Sequence, residues 1–124
     1  MSPLREQALR AVKVGDIIFG LGAGGQAKLL LVYAADATSF SARHVTSQTH
    51  VEFGRDGKSR RIDGGGSCIV VSTAALSSEQ QQVAIGLDQK MRTGKDYPDF
   101  VLSKAEIQLI LSHENFFKAH PLPE

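Results

Sequence analysis

The sequence is poor in the features that announce most chemistries. It holds one cysteine, Cys68, among 124 residues. A lone thiol cannot bridge its own chain or build a zinc site by itself. It opens the apolar run "CIVVS", where it reads as a small core residue. Formal net charge is only +1, so no global field draws in nucleic acid or an acidic partner. No apolar run approaches the ~18 residues that a membrane-spanning helix needs. Residues 1–16 carry Arg5, Glu6 and Arg10 and lack the long apolar middle of a secretory signal. Together these absences predict a cytoplasmic protein without a membrane partner. Nor does any serine sit in a G-x-S-x-G elbow. Ser39, Ser41, Thr46, Ser47, Thr49 and Ser72 supply hydroxyls outside any such motif, and "GGGSC" at 64–68 reads as a turn.

What is present predicts a single α+β domain over 1–124. Residues 1–13 form a short helix, with Ser2 as cap, Pro3 at the first helical position and Leu4, Ala8, Ala11 and Val12 near one face. Residues 14–73 hold short β-prone runs: "DIIFG", "KLLLVYA", "SFSARHV", "THVEF", "SRRID" and "SCIVVST". Glycine or Asp-Gly punctuation separates several of them. Close spacing without intervening helices predicts an antiparallel meander. The expectation is a small curled antiparallel sheet or SH3-like barrel of five to six strands. Residues 74–119 are helical. Ser78 with Gln81, and Ser103 with Glu106, have capping-box spacing. Val83, Leu87 and Met91 repeat every four residues, Gly94 can end the first helix, and Ile107, Ile110 and Leu111 form a second stripe. Pro98 breaks the loop between the two helices, and 120–124 reads as a frayed tail. The expected core is Ile17, Ile18, Phe19, Leu29, Leu31, Val51, Ile62, Ile69, Val71, Leu87, Ile107 and Leu111.

Gly20, Gly22 and Gly25 spell G-x-G-x-x-G after an apolar run, with Asp36 downstream. A dinucleotide cradle needs a helix and a further strand between the last glycine and the acid. A helix of about ten residues and a strand of about five do not fit between Gly25 and Asp36. "LLLVY" reads as a strand instead. The glycines therefore predict a connection between two antiparallel strands, with Gly22, Gly24 and Gly25 as a mobile loop able to close over a ligand.

His50 and Glu52 lie two apart, on one face of a strand, and resemble a fragment of a metal site. Asp56-Gly57 offers the other explanation, a two-residue hairpin turn. Its register places Phe53 opposite Arg60, Glu52 opposite Arg61, Val51 opposite Ile62 and His50 opposite Asp63. Val51 and Ile62 then face the core, and the charged pairs face outward without a metal. The hairpin tip gathers Arg55, Lys58, Arg60 and Arg61, which suits contact with phosphates, although no aromatic cluster accompanies it.

"VGDIIF", a loop and "KLLLVY" loosely resemble the opening of small SH3-like barrels, including the MazF/PemK toxin ribonucleases. Gly15 and Asp16 match that opening. Ala27 and Lys28 stand where the family carries an Arg-Pro pair, so the resemblance implies a small barrel and no catalytic residue.

The leading expectation is a non-enzymatic binding or regulatory module for a small ligand or a protein partner, without cofactor or metal. The second is a nucleic-acid-binding protein or small ribonuclease using the basic hairpin 55–61. The third is a homo-oligomeric accessory protein. Ligand or anion contacts are expected from Arg43, His44, His50, Arg55, Lys58, Arg60 and Arg61, with the glycine loop beside them.

Overall fold

The computed structural model describes residues 3–94 and 101–124. The elements are α1 (Pro3–Arg10), β1 (Ile17–Gly22), β2 (Ala27–Ala35), β3 (Ser39–His44), β4 (His50–Gly54), β5 (Ser59–Ile62), β6 (Cys68–Ser72), α2 (Ser78–Thr93) and α3 (Lys104–Lys118). The strands form one 6-stranded sheet in the order β5-β4-β3-β2-β1-β6, with every pairing antiparallel. The α+β class and all the strand runs agree with the sequence. Gly25 is followed directly by a strand: Gly20 lies opposite Lys28, and Leu21 opposite Ala27. Gly25 has φ +82°, a value that favours glycine in a tight turn. Ser2, the expected cap of α1, and Pro98 lie outside the described residues.

The sheet curls into a half-barrel. Its edges approach where Lys58 forms an antiparallel bridge with Ile69, and the Val70 N–H donates to the Gly57 carbonyl at 2.8 Å. The concave face packs Ile18, Leu30, Val32, Phe40, Val51 and Phe53. The convex face packs Phe19, Leu29 and Leu31 beneath Leu87 of α2 and Leu109 and Phe117 of α3. The inner strand β2 is thus buried on both sides over Leu29–Val32. That explains why "LLLV" is a continuous apolar run and does not alternate.

One end of the half-barrel is plugged. Leu9 of α1 is fully buried and Val12 nearly so, whereas Leu4, expected on the packed face, is exposed. The tail reinforces the plug. Leu122, expected to fray, is buried, and its N–H donates to the Val71 carbonyl at 2.8 Å. An apolar side chain that reaches the core holds a terminus that composition alone leaves free.

The helices obey their caps but not all of their expected faces. Ser103 and Glu106 form the capping box, while α2 is capped by Ser77 and not Ser78; the Ser77 side chain accepts from the Gln80 N–H. Gly94 closes α2 as expected. On α3, the buried positions are Glu106, Leu109 and Phe117, and Ile107 and Leu111 face outward. Ile69 also points outward, because its strand lies at the sheet edge and alternation buries Cys68 and Val70. These three leave the expected core.

The β4–β5 register needs one correction. Val51 faces Ile62 and Glu52 faces Arg61, but Phe53 faces Ser59. The Gly54 N–H donates to the Lys58 carbonyl at 3.0 Å, so the connection is the three residues 55–57. Gly57, at φ +82°, completes it. Such a turn ends in a left-handed residue; beyond it the register shifts once more between Phe53 and Glu52, which leaves Arg60 as the extra residue of a bulge.

Candidate functional site

The unplugged end gathers three loops, 23–26, 45–49 and 63–67. Lys28 lies two residues before Leu30 on β2, so both point to the concave face. His44 is paired with Leu30 across β3 and shares that face. Leu30 is buried, but toward the mouth the inner row becomes Lys28 and His44. They border a cleft of about 440 Å³ together with Gly22, Gly24, Ser47 and Thr49.

The glycine turn beside them is sewn in place. The Gly22 N–H donates to the Gln26 carbonyl, the Gly25 N–H to the Gly22 carbonyl, and the Ala23 N–H to the Ser67 carbonyl at 3.0 Å. These bonds join the glycine turn to the β5–β6 connection at the rim of the cleft. Across the cleft, His44 Nδ1 lies 2.8 Å from Ser47 Oγ, and His44 Nε2 lies 3.1 Å from Thr46 Oγ1. Burial chiefly, then the charge of Lys28 and the neighbourhood of His113, push the His44 pKa down to about 4. The imidazole is neutral at pH 7, so Lys28 is the cation of this cleft. Among the described residues no carboxylate pairs with Lys28 within 4.0 Å. Cys68 lies deeper, buried, with its thiol pKa raised by burial.

Arg43 and His50 do not join the mouth. They face each other on the convex side of β3 and β4. Arg43 binds Asp88 of α2 through Nε and Nη2, at 3.0 and 2.9 Å. Its guanidinium also lies over the Tyr33 ring, 5.0 Å from the centroid. Gln48, at φ +63°, donates through Nε2 to Asp88 Oδ1 at 3.1 Å and to the Val45 carbonyl at 3.0 Å. Asp88 thus holds the β3–β4 loop that carries Ser47 and Thr49.

His50 Nδ1 lies 2.8 Å from the Tyr33 hydroxyl. Asp63 accepts from the His50 backbone N–H at 2.9 Å, so the cross-strand partner expected for the imidazole bonds to the main chain. Glu52 faces Arg61 without an ion pair within 4.0 Å among the described residues.

The basic hairpin divides by role. Arg55 donates to the carbonyls of Leu9, Val12 and Asp36 at 2.6–3.1 Å and lies over the Phe40 ring. It fastens α1 to the plugged end, which engages it away from any phosphate. Lys58, just after the turn, and Arg60, within β5, are exposed, and Arg61 joins the convex face.

Sequence reading passed over Lys28 and Tyr33. Alternation along "KLLLVY" puts Lys28 in line with Leu30 and Val32, which is the signal available for it. Among the described residues there is no group of three metal-ligating side chains and no helix long and apolar enough to cross a membrane. No family model matches the sequence, and no curated protein or solved structure matches it either.

Proposed function

We propose that the protein is a binding module for a small anionic ligand, held at the mouth of the half-barrel. The observation that carries this reading is Lys28: a half-buried lysine without a carboxylate partner among the described residues, in a cleft rimmed by two glycine-rich connections. A cation placed partly out of water attracts an anion more strongly than an exposed one does. Ser47 and Thr49 supply hydroxyls that can donate to a carboxylate or phosphate. Small residues along the rim let a ligand approach the backbone closely. His44 is neutral, with both ring nitrogens engaged by Ser47 and Thr46, and adds no second charge, which favours a ligand with a single anionic group.

The reading is tested by titrating the protein with inorganic phosphate and with acetate while following backbone amide shifts. Saturable shifts confined to residues 22–28, 44–49 and 64–67, abolished in Lys28→Ala, support it. Shifts that are linear in ligand, or identical in Lys28→Ala, remove it. Ligand at about 100 times its Kd should add ~2.7 kcal/mol to stability, giving an independent thermal readout.

A further inference from the structure

The convex face of β2–β5 carries a second constellation, separate from the mouth. Val51 is buried, so its neighbours His50 and Glu52 both point away from the core. Along an extended strand their Cα atoms are ~7 Å apart. Glu52 lies between Ser41 of β3 and Arg61 of β5. Tyr33, with 38% of its surface exposed, stands beside His50, its ring edge-on to the imidazole at 5.3 Å and 87°. Tyr33, Ser41, His50, Glu52, Arg61 and Asp63 line a cleft of about 210 Å³.

We propose that this face cleaves single-stranded RNA by internal transesterification, with Glu52 as general base, His50 as general acid and Arg61 as the phosphate anchor. The nucleophile that suits this set is one the substrate carries, the ribose 2′-hydroxyl. Glu52 takes the 2′-hydroxyl proton as that oxygen bonds to phosphorus. The bond from phosphorus to the 5′-oxygen breaks, and His50 gives its proton to the departing oxygen. The products are a 2′,3′-cyclic phosphate and a free 5′-hydroxyl, so no oxidant or further reactant is needed. Protons then pass from Glu52 to water and from water to His50.

Tyr33 and Arg43 support the acid. The Tyr33 hydroxyl engages His50 Nδ1, which orients the ring and leaves Nε2 for proton transfer. Arg43 covers one face of Tyr33, and the exposed part of that ring offers a stacking surface for one base. The Arg61 guanidinium can pair with the non-bridging oxygens, where negative charge builds in the transition state. The charged and titratable groups around the pair are Tyr33, Arg43, Arg61 and Asp63. This inference does not rest on ligand binding at the mouth.

The test uses the full chain, a 5′-labelled single-stranded RNA 12-mer and the DNA of the same sequence. The expected result is RNA cleavage with a 2′,3′-cyclic phosphate end and intact DNA. Positioned acid and base groups each contribute roughly 10²–10⁴-fold, so Glu52→Gln and His50→Gln, purified in parallel, should each lose at least ~100-fold. Arg61→Ala should raise KM and lower kcat. Absence of RNA cleavage by the wild-type chain overturns the proposal. So does equal cleavage by the folded Glu52→Gln variant, which would assign the activity to a contaminant, and so does cleavage of the DNA at a similar rate.

Discussion

Arg43 and Asp88 meet across 45 positions of sequence in a two-point contact, Nε to Oδ1 at 3.0 Å and Nη2 to Oδ2 at 2.9 Å. Their side chains are 13% and 2% exposed. The pair clamps α2 to β3, and through Gln48 it also fixes the β3–β4 loop at the mouth. A structural ion pair therefore supports both candidate sites: Arg43 orders Tyr33 on the convex face, and Asp88 orders the loop beside Lys28.

Removing one partner of such a pair leaves a partly buried charge uncompensated. Asp88→Ala should cost about 3 kcal/mol in urea unfolding. Burial raises the Asp88 pKa, but hydrogen bonds from Arg43 and Gln48 and the charges of Arg43 and Arg92 outweigh it and hold the carboxyl below its ordinary value of 3.8. A depressed folded pKa gives stability that is present above the unfolded value and is lost as pH falls through the folded one. The acid limb of the wild-type stability curve below pH ~4 should therefore be shallower in Asp88→Asn. Superimposable acid limbs would show that the carboxylate contributes nothing.

His44 provides a second pH signature, with a different window. Its folded pKa, about 4, lies below the ordinary 6.5 because the charged ring is disfavoured by burial first and by Lys28 and His113 after it. The neutral ring stabilises the fold fully above pH 6.5, and that contribution is lost as pH falls toward 4. An NMR titration of the ring should give a midpoint near 4 in the wild type and a higher one in Lys28→Ala. A midpoint near 6.5 in both would contradict the buried, lysine-flanked setting.

Two glycines should respond oppositely to alanine. Gly57 has φ +82°, and a Cβ there would lie 3.3 Å from both Leu9 methyl carbons. Gly57→Ala should cost ~1–2 kcal/mol from backbone strain alone. Gly86 lies within α2, and a Cβ there would meet nothing within 4 Å. Gly86→Ala should add about 0.5–1 kcal/mol. Thermal unfolding of both variants checks the contrast.

The β4 register sets adjacent residues apart. Val51 is 1% exposed and faces Ile62, while Glu52 faces outward. Val51→Asp buries an unpaired carboxylate and should cost more than 3 kcal/mol. Glu52→Ala should stay within about 0.5 kcal/mol. Large losses from both would mean that the strand is rotated. A mild Glu52→Ala also makes Glu52 a fair position to probe for activity.

Much of the architecture was written locally. The short span from Gly25 to Asp36 excluded a helix and forced a β1–β2 hairpin. β-prone runs between turn residues located all the strands, and Ser103 with Glu106 marked the start of α3. The functional faces were less legible. Arg43, His44 and His50 are close in sequence, yet strand alternation and pairing send His44 inward to the mouth and the other two to the convex side. Alternation could have separated them, but it could not show that Lys28 would stand beside His44 or Tyr33 beside His50, because those pairs come from different strands.

Sequence by itself determined which segments are strands and which are helices, since caps, turn glycines and hydrophobic period act over a few residues. Tertiary structure alone decided which side of each element is covered. It turned Ile107 and Leu111 outward while Leu109 and Phe117 went in, seated Leu122 in the plugged end, and used Arg55 as a fastener. Those outcomes depend on what lies across the interface. A residue's own neighbours in the chain carry the periodicity of a face, but not the surface it will meet.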